Sequence, residues 1–173
     1  MKLFRCIIMG PVGSGKGTIS QRIMENFRMW HLPCGDYLRV ELKEKTELGT
    51  EARRYMDRGE LVPDSLVAKI ILSKLEYHKN ENLLLDGFPR TIKQAQMLEE
   101  KTHIDAVLEL DVPAETIVDR LKDRWIHVGS GRIYNTGFNP PKIPGIDDVT
   151  GEPLVQRDDD KPETVRKRLS NYK

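Results

Sequence analysis

The stretch Gly10-Pro-Val-Gly13-Ser-Gly15-Lys16-Gly17-Thr18 limits what this chain can become. It lies between the apolar run from Leu3 to Met9 and a helix-forming stretch from Lys16 to about Phe27. It fits G-x-x-x-x-G-K in the strand–loop–helix context that the motif requires. The glycines let the backbone turn tightly and aim its N–H groups inward. The following helix N-terminus adds partial positive charge, and Lys16 adds a full one. Such a loop is built to hold phosphate groups.

The run ahead of the loop is apolar almost throughout, as a central parallel strand buried on both faces should be. Further short strands are expected near Trp30–Leu32, Leu83–Asp86 and Ala106–Leu110. Helices are expected at 36–45, 49–58, 64–78, 93–101, 114–124 and 162–172. Alternating strands and helices indicate an α/β fold with a parallel sheet. The texture changes after Arg124: between Gly129 and Pro153 fall five glycines and four prolines, with β-like pieces such as Arg132-Ile-Tyr-Asn. That stretch is expected to be a small β-rich insertion.

Composition excludes several classes. The 28 basic and 27 acidic residues leave a formal net charge of +1 over 173 residues, which argues against nucleic-acid binding driven by overall charge. No apolar run approaches the roughly 20 residues that cross a bilayer. The N-terminus runs too directly into the glycine loop for a signal peptide and reads as the first strand. Cys6 and Cys34 are expected to be reduced thiols of an intracellular protein.

Leu83-Leu-Leu-Asp86-Gly87-Phe88-Pro89-Arg90 carries the second strong signal. A carboxylate at the end of a buried strand beside the loop strand can order the water shell of a Mg²⁺ ion. Arg90, four residues on, can reach an anion at the carboxyl ends of the strands, where ligands sit in open α/β sheets.

The Gly-Lys-Gly-Thr ending of the loop, with Gly17 where Ser or Thr is usual and the hydroxyl one later at Thr18, resembles nucleoside monophosphate kinases, adenylate kinases above all. No Asn-Lys-x-Asp segment follows, which argues against small GTPases. The resemblance extends over nearly the whole chain. Leu32-Pro-Cys34-Gly-Asp36-Tyr-Leu-Arg39 is similar to the family's AMP-site turn and helix. Gly59-Glu60-Leu61-Val62-Pro-Asp64 is similar to the segment lining the AMP base, and Asp86-Gly-Phe-Pro-Arg90 with Gln94 matches a family signature. Asp119-Arg120-x-x-x-Arg124 and Ser130-Gly-Arg132-Ile133-Tyr134 resemble the entry to a mobile lid. Arg157-Asp-Asp-Asp160 and Arg166-Lys-Arg168 resemble its return.

The resemblance implies a P-loop kinase of α/β class whose parallel sheet is flanked by helices. It implies a core of residues 1–33, 63–124 and 161–173, a helical AMP-binding insertion at 34–62 and a β-rich lid at 125–160. It implies transfer of the γ-phosphoryl of GTP or ATP to AMP, with Mg²⁺ as cofactor. Lys16, Arg90, Arg124, Arg157 and Arg168 are the implied catalytic residues. Gly13, Ser14, Gly15, Lys16, Gly17, Thr18, Arg120, Arg124, Ile133 and Tyr134 would hold the donor. Cys34, Arg39, Glu60, Leu61, Val62, Gly87, Phe88, Pro89, Arg90, Gln94, Arg157 and Arg168 would hold AMP, with Gln94 reading adenine. Thr18 and Asp86 would serve the metal, partly through water. The i,i+4 spacing of Arg120 and Arg124 would place both on one helix face. Arg166 and Arg168 should face differently, and the resemblance selects Arg168.

Departures from the family shape further expectations. Cys34 replaces the usual Ser or Thr, and a thiol is the poorer hydrogen-bond partner. No cysteine falls between residues 125 and 155, so no zinc site is expected there. His127, Ser130, Asp147 and Thr150 occupy the zinc-free pattern, implying a hydrogen-bond network. The lid stretch looks most like mitochondrial members, implying the matrix, and a monomer with neither nucleic-acid nor membrane partners is expected. The family continues past position 173 with a last strand and helix, so an exposed sheet edge, reduced stability and little activity are expected here. Two other readings stand at this point. One is a kinase of UMP or CMP, against which the long lid speaks. The other is a non-catalytic or weakly active nucleotide-binding relative with a regulatory role.

Overall fold

The computed structural model describes residues 3–58, 60 and 62–172. The chain begins with strand β1 (Arg5–Met9), helix α1 (Lys16–Phe27) and strand β2 (Trp30–Pro33). Helices α2 (Cys34–Lys43), α3 (Glu47–Met56) and α4 (Asp64–Tyr77) follow, then β3 (Leu83–Asp86), α5 (Ile92–Glu99), β4 (Ala106–Glu109) and α6 (Ala114–Lys122). A two-strand ribbon, β5 (Arg124–Ile126) and β6 (Ile133–Asn135), precedes a 3₁₀ turn at Asp158–Asp160 and helix α7 (Pro162–Tyr172).

The four strands β1 to β4 form a parallel sheet in the order β2-β3-β1-β4. Its two-residue period sorts the core. Ile7 of β1, with Leu32 and Leu85, packs on one face against α4, Phe88 and Leu98, while Cys6 and Ile8 face Met29, Ile19 and Ile23 on the other. Helix α4 buries Leu66, Val67, Ala68, Ile70, Ile71 and Leu75, and a third cluster of Ile117, Leu121 and Val165 joins α6 to α7 beside Val12 of the glycine loop. Each fully buried leucine contributes roughly 2 kcal/mol. Both cysteines are free and buried.

The expected parallel α/β architecture is therefore present, with one correction. The helix expected to reach Arg124 stops at Lys122, and Arg124 opens β5, pairing with Asn135. Ribbon pairing and the bridge from Ile126 to Val155 override the local helical pattern. Arg120 and Arg124 consequently do not share a helix face.

The stretch after β5 is held by side chains. His127 Nδ1 lies 2.7 Å from the Ser130 hydroxyl, and Thr150 Oγ1 donates to Asp147 at 2.8 Å. Asp147 also accepts two bonds from Arg132, one from the Tyr134 hydroxyl and one from the Thr150 backbone. The expected hydrogen-bond network is there, and Arg132, Tyr134 and Glu152 enlarge it. Arg132, then the Thr150 and Tyr134 donors, hold the Asp147 carboxyl well below the usual carboxylate range despite its burial.

At the β4 edge, Val107 and Leu108 are exposed together with Phe4 and Phe27. A 390 Å³ groove there is lined by Phe4, Cys6, Ile23, Phe27, Met29, Asn82 and Leu108. Among the described residues no helix is long and apolar enough to cross a membrane.

Candidate active site

The site grows from the end of β1. Gly13 has φ 74°, and a Cβ there would meet Leu121 at 2.9 Å, so both conformation and space demand glycine. Gly15 precedes α1 without any side-chain cap, leaving the first amides of a twelve-residue helix for an outside acceptor. Lys16 folds back over the loop, its ammonium donating to the carbonyls of Gly10 at 2.7 Å and Pro11 at 2.8 Å. Burial draws its pKa down to about 8; Asp86 opposes this, while Arg90, Arg168 and Arg124 reinforce it.

The charges that act on Lys16 converge on the mouth of the loop. Asp86 ends β3 directly beside β1, paired in register with Ile8, and its Oδ2 lies 3.3 Å from His31 Nε2. Arg90 leaves the next turn with its Nε donating to Gly87 O at 2.7 Å. Arg124 binds Asp160 in a two-pronged pair, and Arg168 donates to Asp159. Arg120 Nη1 reaches the Ser14 carbonyl at 3.5 Å. Arg166 is exposed whereas Arg168 turns inward: the two face differently, as their spacing implies, and the inward one is the one the resemblance selects.

From α2, Arg39 pairs with Asp36 at 2.7 Å and approaches Asp159 at 3.6 Å. Arg157 lies 3.7 Å from Asp36, its pKa drawn down to about 10 by burial and then by Arg39 and Arg124. Among the described residues Lys16, Arg39, Arg90, Arg120, Arg124, Arg157 and Arg168 thus crowd one cleft, partly offset by Asp36, Asp86, Asp159 and Asp160. Like charges so placed repel one another, and an incoming polyanion relieves that repulsion.

Other expected residues occupy varied positions. Ser14 is buried, while Gly17 and Thr18 are exposed on the first turn of α1. Ile133 lies over that turn, 3.9 Å from where a Cβ on Gly17 would stand. Tyr134 does not join it: its ring is buried and its hydroxyl bonds Asp147. Successive strand residues point to opposite faces, so Ile133 and Tyr134 cannot both face the loop. Phe88 is fully buried in the core, which leaves only its backbone, beside Pro89, for a ligand. Cys34 is buried at the start of α2, and burial pushes its thiol up to about 11. Glu60 pairs with Lys167 and Arg58, and Val62 is buried. Leu61 lies outside the described residues. Gln94 is 2% exposed, its amide bonded to the Arg90 backbone and to Asp64.

Asp64, Asp159, Asp160 and His31 belong to this constellation without having been assigned a role from sequence. The sequence reads the acidic run at 158–160 only as part of the lid's return, and only the fold reveals which carboxylates meet arginines.

The Adenylate kinase family model matches residues 8–173. The GTP:AMP phosphotransferase, mitochondrial, of Drosophila melanogaster is 53% identical over 171 residues, spanning 99% of this chain and 79% of that protein.

Proposed function

Because the chain belongs to the adenylate kinase family, we propose that it transfers the γ-phosphoryl group of a nucleoside triphosphate to AMP, giving ADP and the nucleoside diphosphate. The observation that carries this reading is the meeting of Lys16, Arg90, Arg124 and Arg168 at the mouth of the glycine loop.

An AMP phosphate oxygen forms the new bond to the γ-phosphorus as the β–γ bridging bond breaks, and the electron pair leaves with the diphosphate. AMP's phosphate is already anionic at neutral pH, so no side chain need take a proton. Catalysis rests on alignment and on neutralising the group in flight. The loop amides, Lys16, Arg120 and Arg124 hold the donor, with Ile133 against its approach. Arg39 and Arg90 hold the AMP phosphate, and Gln94 meets its base. Arg157 and Arg168 stand between the two. Segments 34–62 and 125–160 close over the substrates and exclude water, which would otherwise take the phosphoryl group.

The Asp86 carboxylate and the exposed Thr18 hydroxyl supply hard oxygen donors suited to Mg²⁺, and Asp86 lies close enough to Lys16 to oppose the fall in its pKa. When bound with the triphosphate, the ion would offset charge on the phosphates. The Drosophila relative is named a mitochondrial GTP:AMP phosphotransferase, which supports GTP as donor and a mitochondrial location here. A coupled assay of ADP formation from AMP, run separately with GTP and ATP, tests the reading. Turnover with either supports it, and the preferred donor is read directly. Folded protein that forms no ADP with either would overturn it in favour of a non-catalytic nucleotide-binding relative.

A further inference from the structure

A glutamine amide is nearly symmetrical in shape, so its neighbours decide which end is carbonyl and which is amine. At Gln94 they leave no choice. The Arg90 backbone N–H can only donate, and it lies 2.8 Å from Oε1. The Asp64 carboxylate accepts, and its Oδ1 lies 2.7 Å from Nε2. Thr91 tightens the arrangement. Its hydroxyl donates to the same Asp64 oxygen at 2.9 Å and accepts from the Gln94 backbone N–H at 3.1 Å, capping α5. Asp64 itself sits in the first turn of α4, where the helix favours negative charge.

Reversing the amide would set carbonyl against carboxylate and N–H against N–H. In a side chain 2% exposed, no water is at hand to relieve either clash. The fixed amide keeps one free lone pair on Oε1 and one free hydrogen on Nε2. Adenine offers the complement: an amino group that donates beside a ring nitrogen that accepts. Hypoxanthine and guanine offer the reverse, a carbonyl beside a ring N–H. They would pair only with the reversed amide.

We infer that Asp64 is a positioning residue that sets base specificity, locking Gln94 in the orientation that accepts an adenine monophosphate and rejects 6-oxopurine monophosphates. This deepens the proposed function, since it rests on Gln94 meeting the AMP base. Asp64 touches neither substrate; it acts through Gln94.

Inosine monophosphate is the cleanest probe, because it differs from AMP only by reversal of that edge. The kcat/KM ratio of AMP to IMP, with one donor, is measured for the 173-residue protein and for Asp64→Asn, Asp64→Ser and Gln94→Ala. Asparagine nearly preserves shape yet can meet either end of the Gln94 amide, so it lifts the clash at Asp64 while the Arg90 N–H keeps the other, and the ratio falls roughly tenfold, through a lower KM for IMP. Asp64→Ser, whose hydroxyl donates or accepts, gives the same relaxation and stands in if the asparagine variant does not fold. A general loosening of structure would lower both rates and leave their ratio. An unchanged ratio in a folded Asp64 variant, with a lowered one in Gln94→Ala, overturns the lock and leaves the base reading intact. An unchanged ratio in Gln94→Ala removes the base reading and the lock with it.

Discussion

Lys16 holds its proton less tightly than an exposed lysine because burial and three facing arginines disfavour its charge. Below pH 8 both folded and unfolded chains carry that proton. Between about 8 and the ordinary value near 10.4, the unfolded chain keeps it and the folded chain sheds it, so this residue makes stability rise with pH in that window. Triphosphate binding reverses the balance by restoring an anionic partner. Calorimetry at pH 8.5 in buffers of different ionisation enthalpy should therefore show proton uptake on ATP binding, and Lys16→Met should lose that uptake. Lys16→Ala should lower turnover on the order of 10³-fold or more, by analogy with the loss of other cations that neutralise a phosphoryl group. Near-normal rates would sink the assignment. Lys16 was legible in the sequence because its neighbours form one contiguous pattern. Asp64 and Asp159 were not, since each acts on a partner brought close by the fold, Asp64 on Gln94 and Asp159 on Arg39.

Helices whose ends carry glycine or proline were legible to the residue: α1 starts at Lys16 after Gly15, and α7 at Pro162. Where ends depend on partners, the reading slipped. Helix α3 was expected to begin at Gly49, but Thr46 caps it two residues earlier than that start allows, accepting from the Gly49 N–H at 3.0 Å. Gly49 is instead the point where α3 touches α2: a Cβ there would stand 2.1 Å from the Glu41 carbonyl oxygen. Gly49→Ala should cost about 1–3 kcal/mol in urea unfolding and raise KM for AMP, because the two helices must part. Unaltered unfolding and KM would show that the corner absorbs the methyl. Asp147 anchors the ribbon element in the same sense. Its carboxyl is held low by Arg132, so its contribution is complete above the ordinary carboxylate pKa and fades only as pH falls toward the depressed folded value. Amide exchange across 124–156 should stay slow from pH 7 to pH 5, and Asp147→Asn should speed it at both. Equal protection in the variant would mean that the backbone ribbon alone carries the element.

At the scale of the whole molecule, charges tie together parts of the chain that sequence keeps far apart. Arg39 approaches Asp159 at 3.6 Å, Arg157 approaches Asp36 at 3.7 Å and Lys167 approaches Glu60 at 3.4 Å, so residues of 34–62 lie against the turn and helix at 157–172. Asp159 is the pivot. Burial works against its charge, yet Arg168, then Arg39, Arg157 and Arg124, hold its carboxyl below the ordinary range, so its stabilising effect is present above that range and lost on acidification. The carboxylate occupies arginines that the proposed reaction needs for phosphate, and substrate must compete with it. Asp159→Asn should destabilise the ligand-free protein on the order of 1–2 kcal/mol, since Arg168 and Arg39 lose a shared counter-charge. The same variant should gain more stability than the wild type from ATP and AMP added together without metal, because no carboxylate remains to be displaced. Melting temperatures with and without the nucleotides measure both effects. A smaller ligand-induced rise in the variant would mean that Asp159 holds the arginines ready for phosphate and does not compete for them.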